Sequence, residues 1–225
     1  MEADAIASAW NDVTARIARA APRGGVTLVA VSKTHPPEAI RALAACGARA
    51  FGENYVQEAL GKQAALADLA LEWHAIGPLQ SNKAREVAQH FDWLQTLDRA
   101  KLIEPLARHR DAGSAPLNVL IQVNIDDEAS KSGCAPGDVR ELADLVVVHP
   151  TLRLRGLMAI PAPLDFVRRR EAFRRMRALF EALASEHAAV DTLSMGMSDD
   201  FELAIAEGAT MVRVGSALFG ARRPA

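Results

Sequence analysis

The chain has 225 residues, half of them hydrophobic and 24% charged, and 26 Lys+Arg against 28 Asp+Glu leave a net charge of −2. That is ample material for one large core, and the balance argues against a nucleic-acid or other polyanion binder, which carries a basic excess. Two cysteines, Cys46 and Cys134, make no disulfide framework and lack the clustered spacing of a zinc site.

The opening MEADAIASAW is acidic and amphipathic, not a basic stretch followed by an apolar core, so no signal peptide is expected. No run approaches the ~18 apolar residues of a membrane span. The expected setting is the cytosol, with no membrane association. Asp4 to Ala20 is helical in period and has no strand before it. The first apolar run, Val26 to Ser32, reads as a strand. PEAIRALAACG reads as a helix, with Pro37 suited to its first turn and Gly47 to its exit. ARAFGE is a second strand and Val56 to Leu69 its helix. LEWHAIG is a third strand, followed by SNKAREVAQHF with Ser81 placed to cap a helix. WLQTLD and RAKLIEPLARHRDAG form the fourth pair. LNVLIQVNI is the fifth strand, with GDVRELADLVVV as its helix. LRLRGLMAI is the sixth, and Phe166 to Glu186 the long helix after it. TLSMG is the seventh. SDDFELAIAEGA reads as a helix opened by Ser198 and two aspartates. MVRVGSALFG is the eighth strand with its exit.

Eight short apolar strands separated by helices imply a parallel sheet covered on both faces. The expected fold class is α/β, a single (β/α)8 TIM barrel, with a doubly wound open sheet as the alternative. No linker or composition shift breaks the chain, so residues 1–225 read as one domain. Few residues follow the eighth strand. The extra N-terminal helix is expected to fill the vacant place in the helical ring.

In a barrel, chemistry belongs on the loops at the C-terminal strand ends. Polar residues cluster there: Lys33, Glu53, Asn54, Ser81, Asn82, Asn124, Asp126, Asp127, Ser198, Gly215 and Ser216. Lys33 ends an apolar strand. A lysine desolvated there becomes a nucleophile toward carbonyls, although its stem alone can pack while its ammonium reaches water. Ser198 and the VGSALFG turn offer hydroxyls and backbone N–H groups to an anion, or are ordinary turns. Arg213, inside the eighth strand, must be paired, either with a ligand in the barrel mouth or in a structural salt bridge. The arginines at 168, 169, 170, 174, 175 and 177 read as a solvated helix face. His35 and His74 are placed near the rim as hydrogen-bonded residues. Asp126, Asp127 and Glu128 read as a loop in preference to a metal site, and Met158, Met195 and Met197 as packing.

Together these segments resemble the pyridoxal-phosphate homeostasis proteins, the YggS/PROSC family. The resemblance rests on AVSKTHP around Lys33, FGENYVQEA, WHAIGPLQSNK, VNIDDEASKSGC, RGLMAIP and LSMGMSDDFELAIAEGATMVRVGSALFG, which run in order from residue 30 to residue 220. Members of that family often carry lysine where this chain has His35; Lys33 is unaffected. The resemblance implies a barrel like the N-terminal domain of alanine racemase. It implies pyridoxal 5′-phosphate (PLP) joined to Lys33 as a Schiff base. It also implies Met197, Ser198, Gly215 and Ser216 around the phosphate, Arg213 facing the pyridine nitrogen, and Asn54 near the ring or its hydroxyl.

Guanidinium cannot give up its proton to the ring nitrogen, so carbanion chemistry would be poorly supported. The expected function is a non-catalytic PLP carrier, a monomer that buffers the cofactor or delivers it to PLP-dependent apo-enzymes. An amino-acid racemase is the alternative. It needs a second base opposite Lys33, and the only tyrosine is Tyr55. A barrel enzyme acting on a phosphorylated metabolite is a third possibility.

Overall fold

The computed structural model describes residues 3–128, 132–162 and 165–220. In chain order the elements are α1 (Ala3–Ala20), β1 (Thr27–Val31), α2 (Pro37–Ala45), β2 (Ala50–Glu53), α3 (Val56–Ala65), β3 (Glu72–Ala75), α4 (Ala84–His90), β4 (Trp93–Leu97), α5 (Ile103–His109) and β5 (Leu117–Gln122). They continue with α6 (Val139–Val147), β6 (Leu152–Met158), α7 (Phe166–Glu186), β7 (Thr192–Ser194), α8 (Phe201–Ala206), β8 (Met211–Val214) and α9 (Ser216–Phe219). The strands form a closed parallel barrel in sequence order. It closes where Thr27 to Ala30 of β1 pair with Met211 to Val214 of β8.

Alternation along each strand sorts side chains between two cores. Val29, Ala50, Trp93, Leu120, Met158 and Met211 form an apolar cluster separate from the larger core that takes in the helices. The expected packing role holds for Met158 and Met195, both buried, whereas Met197 is exposed at the rim. α1 packs against α2, α8 and α9. α9 has only four residues, so α1 takes the vacant place in the ring, as the sequence implies. Among the described residues, no helix is long and apolar enough to cross a membrane.

Three elements differ from expectation. α3 stops at Ala65, because Leu66 turns inward and its carbonyl accepts from Leu69 N at 2.9 Å. Ser81 does not cap α4; it opens a 3-10 turn whose N-cap is Gln80, with no side-chain cap bond. Ser198 does not open α8. The chain spends residues 197–200 on a turn in which Asp200 Oδ1 accepts from Met197 N at 2.7 Å, and Asp200 occupies the N-cap position of α8.

The arginine-rich face of α7 is also not simply solvated. Asp165 caps the helix by accepting from Arg168 N. Arg169 pairs with Asp200 at 3.4 Å, just before α8. Arg170 and Arg174 both pair with Glu207, just after it. α7 therefore grips both ends of α8, the short helix that follows the β7 loop.

Two glycine substitutions should move stability in opposite directions. Gly156 of β6 lies at φ +143°, and a Cβ there would sit 2.0 Å from Thr192 O. Gly156→Ala should destabilise by about 2 kcal/mol or more in urea unfolding. Gly61, exposed within α3, has open space around it, so Gly61→Ala should stabilise by about 0.5–1 kcal/mol. The α7 clamp predicts a pH effect. Arg170, then Arg174, hold the Glu207 carboxyl below its ordinary value. Its contribution is complete above the unfolded Glu value of about 4.3 and is lost as pH falls toward the depressed folded value. Thermal melts across the acid range should therefore show a shallower loss of Tm in Glu207→Gln than in wild type.

Candidate functional site

Two adjoining cavities open at the C-terminal end of the barrel. One, of ≈ 250 Å³, is lined by Val31, Lys33, Asn54, Ile76, Pro78, Gln122, Ser132, Ile160, Met197 and Arg213. The other, of ≈ 200 Å³, shares Val31, Lys33, Met197 and Arg213 and adds His35, Ser198, Asp199, Gly215, Ser216 and Gly220. All seven residues that the resemblance implies for the cofactor line one cavity or both: Lys33, Asn54, Met197, Ser198, Arg213, Gly215 and Ser216; the other rim residues named from the sequence, Glu53, Ser81, Asn82, Asn124, Asp126 and Asp127, line neither. The structure brings them together; their roles remain to be assigned from chemistry.

Lys33 follows β1 in a turn anchored on both sides. Before it, Ser32 Oγ donates to Glu53 Oε1 at 2.6 Å, and Ser32 O accepts from Lys62 Nζ at 2.7 Å. After it, Thr34 takes φ +67°, a left-handed conformation unfavourable for a β-branched residue. Thr34 N donates to Glu58 Oε1 at 2.6 Å. Lys62 also binds Glu53 and Glu58, each at 2.7 Å. Burial pushes the Glu53 carboxyl above its ordinary value, against the opposing pull of Lys62 and Ser32. A buried ionic cluster on β2 and α3 thus fixes the direction in which Lys33 leaves the sheet. Sequence reasoning missed this brace. The one available signal was the four-residue spacing of Glu58 and Lys62 on a helix.

On the opposite side, the loop after β7 and the turn after β8 are tied together. Gly196 makes the sharp exit at φ +94°, where a Cβ would meet Ala204 Cβ at 2.5 Å. Beyond it, Ser198 Oγ accepts from Gly215 N at 3.3 Å and from Ala217 N at 3.4 Å. These contacts are long, and the acceptor is a neutral hydroxyl. Two backbone donors and two serines therefore surround one end of the second cavity. His35 stacks on Phe219, with ring centroids 4.6 Å apart, and closes the outer wall.

Arg213 projects into the same space from β8 and is only 3% exposed. Burial pushes its pKa down to about 10, so it is charged at neutral pH. Among the described residues it makes no ion pair. Nη1 donates to Ser194 Oγ at 2.6 Å and Nη2 to Ala159 O at 2.9 Å. The structural salt bridge considered from sequence is not present. A buried cation held only by neutral acceptors is an unusual arrangement. It leaves the cavity electropositive and suited to an acceptor-bearing ring or an anion.

Other residues fall outside the site. His74 is not at the rim; it is buried inside the barrel, stacked on Trp93 at 5.3 Å. Asp126 accepts from Ala162 N and lies 3.6 Å from Arg175, while Asn124 closes its own loop onto Glu128. Among the described residues no cluster suits a metal ion. The buried Cys134 thiol is pushed up to about 12, chiefly by burial, and is inert as a nucleophile.

Residues 4–223 match the family described as alanine racemase, N-terminal domain. Two relatives are each described as a pyridoxal phosphate homeostasis protein. The one from Pseudomonas aeruginosa is 57% identical over 216 residues, 93% of each chain. The one from Escherichia coli K12 is 52% identical over 226 residues, 96% of this chain and 97% of the other. Among solved structures, PipY of Synechococcus elongatus with PLP bound superposes with a TM-score of 0.85 at 39% identity, over 96% of this chain and all of that one. Alanine racemase from Corynebacterium glutamicum shares the fold, with a TM-score of 0.71 at 21% identity over 99% of this chain and 62% of its own. The chain therefore belongs to the alanine racemase N-terminal domain family and, within it, to the pyridoxal phosphate homeostasis proteins.

Proposed function

We propose that this protein binds PLP in the barrel mouth and acts in PLP homeostasis as a cytosolic, monomeric carrier, supplying PLP-dependent apo-enzymes without turnover of its own. The observation that carries the reading is the juxtaposition, on one cavity, of Lys33 and a buried, charged Arg213 that has no carboxylate in hydrogen-bond contact among the described residues. The cavity's donor set fits the cofactor. Apolar side chains Val31, Ile76, Pro78 and Ile160 suit a flat ring. Hydroxyls and backbone N–H groups at the far end suit a phosphate. The name given to relatives more than half identical over nearly the whole chain, and the PLP in PipY, support the same reading.

PLP supplies an aldehyde that condenses with a primary amine, and a pyridine ring that can draw electrons from the amine carbon. In this assignment Lys33 is the amine that holds the cofactor. Its fixed turn aims the side chain and leaves little conformational freedom to lose on capture. Ser198 and Ser216 would donate hydroxyls to the phosphate, alongside the backbone N–H groups of Gly215 and Ala217, which Ser198 holds only loosely, with Met197 lining the same end. Asn54 lies at the ring's edge. Arg213 would hold the ring nitrogen with a hydrogen bond while retaining its own proton, so this side chain supplies no acid that would strengthen the ring's pull on electrons.

This arrangement disfavours racemisation. Two-base exchange needs proton-moving groups on both faces of the substrate carbon. The larger cavity is lined by Lys33 and Arg213, with no carboxylate, histidine or tyrosine among its described residues. Tyr55 is 61% exposed and lines neither cavity.

Purified protein mixed with PLP should develop a visible chromophore that borohydride converts to an adduct surviving denaturation. Lys33→Ala should fold normally, lose the trapped adduct and retain weak, reversible PLP binding. Equal trapping in mutant and wild type would overturn the assignment of Lys33. Racemisation of amino acids by the loaded protein at even ~1 s⁻¹, an ordinary enzyme rate, would overturn the carrier reading. Ser198→Ala combined with Ser216→Ala should raise the PLP dissociation constant about tenfold or more, while trapping at saturating PLP persists. An unchanged constant would remove the phosphate assignment.

A further inference from the structure

Arg213 is one end of a hydrogen-bonded chain that crosses the barrel interior. Its Nη1 donates to Ser194 Oγ at 2.6 Å. Ser194 Oγ lies 2.7 Å from Gln95 Oε1. Gln95 Nε2 lies 2.9 Å from His74 Nδ1 and 3.2 Å from Met211 Sδ. His74 Nε2 lies 2.8 Å from Glu72 Oε1. Ser194, Gln95 and His74 are fully buried, whereas the Glu72 side chain is 44% exposed. The chain thus runs from β8 and β7 across the lumen to β4 and β3. It descends from the mouth to the first residue of β3, at the opposite end of the barrel.

Donor chemistry gives this chain one direction. Guanidinium has only hydrogens to offer, so Ser194 must accept from it and pass its own hydrogen on. Gln95 therefore presents its oxygen to Ser194 and its amide hydrogens to His74. His74 Nδ1 is then an acceptor, and Nε2–H donates to Glu72. Each member accepts on the Arg213 side and donates on the Glu72 side. The negative charge of Glu72 strengthens each acceptor in turn, and hydrogen bonds polarised in one sense reinforce one another in a low-dielectric interior. The His74 ring is held in plane by its stack on Trp93. On the outside, the Arg155 guanidinium lies over Trp93, and its charge joins the His74 hydrogen bond in holding the Glu72 carboxyl below its ordinary value.

We infer that Ser194, Gln95, His74 and Glu72 are positioning residues for Arg213: they carry the charge of a carboxylate at the barrel base to the guanidinium at the mouth and fix where it meets a bound ring. The inference deepens the PLP reading and rests on it. It accounts for a feature that stability alone does not require, since an all-apolar lumen of equal volume would fold at least as well.

The test begins with Glu72→Gln. This variant keeps an oxygen for His74 but removes the charge, on a partly exposed side chain where folding is not at risk. Urea unfolding of the variant should show only a small loss of stability, with the protein fully folded in water. PLP affinity should fall about fivefold, and the visible band of the bound cofactor should shift. In an Arg213→Lys background the same substitution should leave both unchanged, because the chain then has no guanidinium to act on. Nitrogen NMR of the ligand-free protein reads the chain without cofactor: His74 should be the Nε2–H form in wild type. If wild type binds PLP but Glu72→Gln binds it equally well with an unshifted band, or if the Glu72 effect survives in Arg213→Lys, the inference fails while the PLP reading stands. If wild type binds no PLP, the functional reading itself fails. A His74 found as the Nδ1–H form overturns the direction of the chain.

Discussion

A buried guanidinium without a carboxylate is the constraint around which this barrel is arranged. Placing a full positive charge in a protein interior is costly unless its solvation is replaced. The fold replaces it with oriented dipoles: a serine hydroxyl and a backbone carbonyl. A carboxylate in direct contact would neutralise the charge and make the cavity indifferent to what enters. With carboxylates acting on it only from a distance, Asp200 among them, the charge keeps the mouth receptive to electron-rich groups. Arg213 stays protonated in spite of its burial, because even its depressed value of about 10 lies far above neutrality.

The same choice explains why a racemase-like fold suits a carrier. In the proposed assignment, a fixed cation that cannot part with its proton would hold a pyridine ring without making it a strong electron acceptor. The groups around Lys33 continue the theme. Glu53, Glu58 and Lys62 are consumed in bracing the turn, so none of them is available to shuttle protons in the larger cavity. The site's polar groups are committed to orientation. Val31, Ile76, Pro78 and Ile160 give the larger cavity its apolar surface.

Much of this was legible in the sequence, for identifiable reasons. Alternation of β-branched runs with helical periods gave eight strands and the displaced first helix, because each unit buries its own stripe. Lys33, Asn54, Ser198 and Gly215 were readable because they sit immediately beyond strands, where a parallel barrel places its functional loops. Positions inside strands were harder. A lone polar residue in a strand looks the same whether it faces the lumen or the helices, so His74 was assigned to the rim and Gln95 and Ser194 attracted no notice. Their meaning depends on distant partners: Ser194 lies 99 positions from Gln95 and Met211 lies 116. Ser198 resembles a helix cap because it precedes two aspartates, but Asp200 stands at the N-cap position of α8, its carboxylate accepting from Met197 N, and the Ser198 hydroxyl faces the β8 turn. The arginine run looked solvated because its acceptors, Asp200 and Glu207, lie on another helix.

The barrel closes where β1 meets β8, and the candidate site straddles that seam. Lys33 lies just past one lip, and Gly215 and Ser216 just past the other. The first strand and the last are brought together only when the whole circuit of intervening units is complete. A molecule grasped from both lips would act as a clasp between the two ends of the polypeptide, resisting the opening of the ring at its final joint. Occupancy would then be sensed throughout the scaffold as reduced breathing, and a receiving protein that loosened this joint would release the cargo without touching the lysine.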